Sequence, residues 1–156
     1  MMTNRTIRRR ALVGALGIGA AAPGLAGGQG RTRRNGPAGA VRIEFAFAAQ
    51  VFTATLNDSP PARELLSMLP LDLKISDFSS NEKIAFLPRK LTARGAPAYA
   101  DPKPGDLCYY APWGNLALFY EGYSASPDLI RLGRLDDGVA PLRRKGDFPL
   151  RIERRS

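Results

Sequence analysis

The chain has 156 residues and a formal charge of +9, with no histidine and one cysteine. That length suits one domain, and the missing histidine excludes a Ser-His-Asp triad, a histidine general base and most zinc sites. Of its 23 basic residues, nine are Arg5, Arg8, Arg9, Arg10, Arg31, Arg33, Arg34, Arg154 and Arg155, and the remainder equals the 14 acidic residues, so the basic excess belongs to the two ends. A balanced body argues against nucleic-acid binding, which asks for a basic face on the fold itself. One thiol closes no internal disulfide, and the core must hold the fold unaided.

Met1 to Arg10 is polar and cationic, Ala11 to Ala22 is a Gly/Ala/Leu stretch, and Pro23-Gly24-Leu25-Ala26 offers small residues at signal-peptidase spacing. This layout predicts a cleavable signal peptide over residues 1–26, cut after Ala26. Arg9-Arg10-Ala11-Leu12-Val13, followed by Gly14, Gly17 and Gly19, has the paired arginines and weak hydrophobicity of the twin-arginine route, so a periplasmic or secreted protein is expected. The apolar stretch falls short of the roughly 20 residues that span a bilayer, and Pro23 interrupts it; no stable membrane span is expected after cleavage. Residues 27–40 are rich in Gly and Arg and read as a flexible linker.

The folded domain is expected over 41–154. Val41, Ile43, Phe45 and Phe47 alternate with polar or small residues as a first strand, and Val51 to Leu56 follows across a tight connection, making a hairpin. Asn57-Asp58-Ser59-Pro60-Pro61 supplies a helix start, with Ala62, Leu65, Leu66 and Leu69 at helical spacing and Pro70 as its stop. Leu71, Leu73 and Ile75 alternate as a third strand, ending at the turn Ser79-Ser80-Asn81. Lys83 to Leu91, broken by Pro88, is ambiguous, and Thr92 to Pro104 is a long loop. Asp106 to Ala111 and Leu116 to Glu121 read as strands joined by Pro112-Trp113-Gly114-Asn115, whose Gly and Asn tolerate positive φ; Phe119, like Phe45 in the first strand, is expected to point inward. Leu129 to Leu135 and Phe148 to Ile152 are the last strands, separated by a turn-rich segment with room for a short helical turn. Seven or eight short strands with one clear helix predict a mainly β protein, a small closed barrel.

The ordered set Leu71 to Asp77, Asn81-Glu82-Lys83, Leu87-Pro88, Gly105-Asp106-Leu107, Asn115-Leu116 with Phe119-Tyr120, and Leu132-Gly133-Arg134 with Asp136-Asp137 resembles a family of bacterial cyclophilin-like domains. The resemblance runs from about Val41 to Glu153 and implies a closed cyclophilin-like barrel of about eight strands with one or two short helices. It does not carry an activity with it, because function lives in sites placed on folds. True cyclophilin isomerases use an arginine-centred groove that includes a histidine. Their arginine-bearing motif and glycine-rich signature are not visible here, so no catalytic residue is carried over.

The candidate pocket residues are Glu82, Lys83, Tyr110, Trp113, Asn115, Tyr120, Arg131 and Arg134, polar and aromatic side chains expected to converge at one end of such a barrel. Trp113 has a second reading as a cover for the barrel end, and Tyr110 and Tyr120 as rim residues. Arg131 and Arg134 with Asp136 and Asp137 form either an anion clamp or a surface cluster of little energetic value. Cys108, in an apolar strand without a nearby base, reads as a small buried hydrophobe. The expected function is an exported, non-catalytic module that binds an unknown small molecule or peptide, without cofactor, metal or nucleic acid. The alternative is a periplasmic peptidyl-prolyl isomerase or folding helper, and the sequence leaves the oligomeric state open.

Overall fold

A computed structural model describes residues 40–156. The expected signal peptide, its twin-arginine pattern and its cleavage site lie outside the described residues, as does all of the 27–40 linker except Ala40.

Eight antiparallel strands close into one barrel: β1 Val41–Phe47, β2 Gln50–Leu56, β3 Leu71–Phe78, β4 Glu82–Phe86, β5 Asp106–Tyr110, β6 Asn115–Phe119, β7 Leu129–Leu135 and β8 Phe148–Arg154. Around the barrel they run β1-β2-β7-β5-β6-β4-β3-β8, with β8 back against β1. Closure leaves no strand edge free, which suits a domain held together by its core alone. The helix α1, Pro60–Met68, starts where expected: the Ser59 hydroxyl accepts from the Ala62 N–H, and two prolines occupy the first turn, where their missing N–H groups cost nothing. It buries Ala62 and Leu65 against the core. A single 3-10 turn, Ala140–Arg143, lies between β7 and β8.

The alternation read in β1 is obeyed, with Ile43, Phe45 and Phe47 turned into the barrel. The same alternation assigns the segment that its residues left ambiguous. In β4, Lys83 and Ala85 turn inward and Glu82, Ile84 and Phe86 outward, so a lysine occupies an interior position. The interior is filled by residues such as Phe45, Leu107, Tyr109, Leu116, Leu118 and Leu132, leaving a packed core. A second, smaller cluster of Cys108, Ala117 and Phe119 lies on the opposite face of the same strands, covered by Tyr99, Tyr123 and Leu129. Phe119 therefore departs from its expected inward position. It is buried under the segment that follows β6, because the interior side chains of this stretch are Leu116 and Leu118 of β6 and Tyr120 just after it.

Between β2 and β7 the strands approach so closely that a Cβ on Gly133 would lie 2.2 Å from the Thr55 carbonyl oxygen. Only glycine fits this seam. Next to it β7 carries an extra residue against β5, where Gly133 pairs with Leu107 and Arg131 with Cys108, and this bulge lets Arg131 and Arg134 share the outward face although they are three residues apart.

Candidate functional site

The outward faces of β4, β5 and β6 meet on one flank of the barrel. Their register places Glu82 opposite Phe119, and Asn115 between Phe86 and Tyr110. After β6 the chain folds back over this face, and Tyr123 stacks on Phe119 with ring centroids 3.7 Å apart. On the other side the β5–β6 hairpin tip, turned by Gly114 at φ 73°, delivers Trp113. Its ring meets Phe78 and Tyr110 edge to face, each at 5.4 Å between centroids. These rings enclose a pocket of about 340 Å³ that also takes in Glu82, Ile84 and Asn115.

Two polar groups in this apolar setting lack partners. Burial alone pushes the Glu82 carboxyl up to about 7, with no hydrogen bond or charge acting in the other direction. Asn115 is only 1% exposed. Its amide nitrogen donates to the Leu116 carbonyl at 3.0 Å, while its side-chain oxygen has no partner. A buried, unpaired acceptor is costly unless something else compensates it. Glu82, Tyr110, Trp113 and Asn115 are thus brought together, on the flank rather than at the barrel end.

The other four expected residues are elsewhere. Lys83 is fully buried inside the barrel, donating to Asp77 Oδ1 at 2.8 Å and to the Gly146 carbonyl at 3.3 Å. Burial works against the charge on Asp77, but the Gly146 N–H and the Lys83 ammonium outweigh it and hold its pKa below the ordinary value. Tyr120 is buried on the interior face, where its hydroxyl accepts from Lys145 at 2.5 Å. Arg131 and Arg134 do not engage Asp136 and Asp137. They pair with Asp101 of the long loop at 2.7 and 2.8 Å, and Arg134 also reaches buried Asp106 at 2.9 Å. Those two guanidinium groups hold the Asp101 carboxyl at about 2. Asp136 instead accepts the hydroxyls of Thr53 and Thr55 at 2.5 and 2.6 Å. The groove of about 390 Å³ beside the arginines is therefore lined by cations already engaged.

Cys108 is fully buried, and burial raises its thiol to about 11. Its neighbours are hydroxyls: Tyr123 at 3.5 Å and Tyr99 at 3.8 Å. Tyr123 donates in turn to Asp106 Oδ2 at 2.7 Å and lies 3.5 Å from the Tyr99 hydroxyl, which ties one wall of the flank pocket to the start of β5 and to the loop that carries Tyr99. Among the described residues no group of three His, Cys, Asp or Glu is placed to hold a metal ion, and no helix is long and apolar enough to cross a membrane.

The sequence reading missed Phe78, Ile84, Phe119, Tyr123 and Leu129 as pocket walls. Phe78 carried a usable signal, because it continues the outward set of β3, whereas Tyr123 sits in an irregular segment without periodicity.

A family model described as the cyclophilin-like family matches residues 45–153. A hypothetical protein from Archaeoglobus fulgidus, with a structure solved in solution, is similar at a TM-score of 0.53 and 15% identity, over 74% of this chain and 95% of that one. At that identity the likeness concerns the fold. No protein of curated function matches the chain.

Proposed function

The chain belongs to the cyclophilin-like family, and we propose that it works as an exported, non-catalytic binding module whose flank pocket takes a small molecule or a short peptide segment. The observation that carries this reading is the pocket itself: aromatic walls around a half-buried carboxyl, Glu82, and a buried unpaired acceptor on Asn115. Apolar linings with a few fixed polar groups are the usual make-up of small-ligand sites. The non-catalytic part is supported by the chain's chemistry. It has no histidine, and its one thiol is buried and held protonated, so neither an imidazole base nor a ready thiolate is available. Export is supported by Arg9, Arg10 and the weakly apolar stretch that follows.

A fragment screen read by NMR tests the binding reading, because Trp113 is the only tryptophan and its indole N–H gives one resolved reporter. Hits are expected to move the Trp113 indole and the Asn115 side-chain amide together, and Trp113→Ala should abolish them. Hits that cluster on the Arg131 groove instead would contradict the assignment. A protease-coupled proline isomerisation assay addresses the rival: acceleration lost in Trp113→Ala would make the pocket an enzyme site. For export, lysine at both positions 9 and 10 should leave the precursor inside the cell, and normal amounts of mature protein outside would refute the twin-arginine route.

A further inference from the structure

Elsewhere in this barrel, an aromatic ring beside a carboxylate holds a cation of the chain itself. Lys83 lies 5.6 and 5.7 Å from the ring centroids of Phe47 and Phe148 while donating to Asp77 at 2.8 Å. Arg131 sits 4.7 Å from the Tyr99 centroid and 2.7 Å from Asp101. Arg143 lies 5.8 Å from the Tyr120 centroid and 2.6 Å from Glu121. The flank pocket has the same two ingredients, the Glu82 carboxyl and the rings of Phe78, Tyr110 and Trp113, yet its lining contains no lysine or arginine.

We propose that the missing partner is a ligand: the flank pocket binds a small organic ammonium ion, its charge beside Glu82 and its apolar part against Trp113. The proposal rests on the reading of this pocket as a binding site and adds the chemical class. Three features select a positive charge. Glu82 is the only acidic side chain in the lining, the unpaired oxygen of Asn115 adds the negative end of an amide dipole, and ring faces attract cations through their quadrupole. A carboxylate or phosphate ligand would meet Glu82 with no basic side chain in the lining to receive it. A neutral ligand would leave Glu82 without a charge partner and favour its protonated form, so it gains nothing from the carboxylate. A cavity of about 340 Å³ is at the small end of ligand pockets, which favours a compact amine over a long peptide.

The groups that face Glu82 are few. β3 contributes Phe78, since Asp77 turns inward to Lys83; β6 contributes Phe119 and Asn115; the hairpin contributes Tyr110 and Trp113; and the segment after β6 contributes Tyr123, Ser124 and Ser126. Tyr110 and Tyr123 are the other titratable groups, and burial raises Tyr123 well above the ordinary tyrosine range, leaving its hydroxyl protonated. Glu82, raised to about 7, is therefore the group whose charge changes near neutrality, and affinity for an ammonium ion should rise as pH climbs through that value.

Benzylammonium and benzyl alcohol form a suitable pair, similar in shape and different in charge. Calorimetric titration of the full chain at about pH 8, with Trp113 fluorescence as a second readout, should give benzylammonium an advantage of about fivefold or more. The advantage should shrink at about pH 6 and fall to within about twofold in Glu82→Gln, whose circular dichroism verifies its fold. Equal binding of the two compounds to the wild type, or an advantage that survives in Glu82→Gln, overturns the ammonium assignment while the pocket reading stands. If neither compound binds or perturbs Trp113, and the fragment screen also leaves Trp113 unmoved, both readings fail.

Discussion

Glu82 is a charged residue by sequence, yet its carboxyl is half-buried among aromatic rings. Its folded-state value of about 7 exceeds the ordinary 4.5, so between those values the folded protein holds a proton that the unfolded chain has released. Stability supplied by the protonated form is complete below this window and falls as pH rises through it. Urea melts should accordingly lose up to about 2 kcal/mol between about pH 5 and pH 8, a figure already reduced for partial exposure. Glu82→Gln should flatten that fall, and a slope unchanged in the variant would show that other groups cause it. Tyr110, Trp113 and Asn115 were legible because an aromatic hairpin tip beside an asparagine is a local pattern. The partners of Arg131 and Arg134 were not, since Asp101 comes from a loop of no periodicity, 30 and 33 residues away.

At the level of elements, alternation and turn-bounded apolar runs located seven of the eight strands, and Lys83 to Leu91 stayed ambiguous. An interior lysine breaks the apolar pattern, and its compensation by Asp77 and two rings is a tertiary fact. Removing that compensation should be costly: Asp77→Ala leaves a buried ammonium without its carboxylate and is expected to cost about 3 kcal/mol, whereas Lys83→Met should cost much less. Comparable melting temperatures for the two variants would contradict this view of the barrel end. The β1–β2 turn has a different weakness. Ala48 and Ala49 both have positive φ, 47° and 63°, a conformation that favours Asn and Gly. Placing Asn-Gly there should raise stability by about 1 kcal/mol, and a lower melting point would mean that the turn is held by its surroundings instead. The two phenylalanines that the sequence treated alike also separate. Phe45→Ala opens the interior and should cost about 3 to 5 kcal/mol. Phe119→Ala removes the base on which Tyr123 stacks, so its main effect is expected on the flank pocket, visible as weakened benzylammonium binding with a smaller drop in melting temperature.

For the molecule as a whole, the fold was more legible than the site. Strand alternation, one capped helix and the ordered family motifs each pointed to a small closed barrel, and the structure has that form. The site depends on side chains that reach one flank from β3, β4, the β5–β6 hairpin and the segment after β6, a convergence set by barrel order rather than by neighbours in sequence. The same order puts the pocket on the flank and not at the barrel end, because the interior is already packed and Glu82 and Asn115 line the outer pocket. The central claim is that a half-buried carboxyl waits unpaired in an aromatic pocket for a cationic ligand, and the titration of the Glu82 side-chain carboxyl by carbon-13 NMR tests it most directly. In the free protein the midpoint should lie near 7. Saturation with benzylammonium should lower it by about one unit or more, since an adjacent positive charge favours the ionised form. A midpoint at the ordinary glutamate value in the free protein, or one that saturation with the amine leaves in place, would contradict the account.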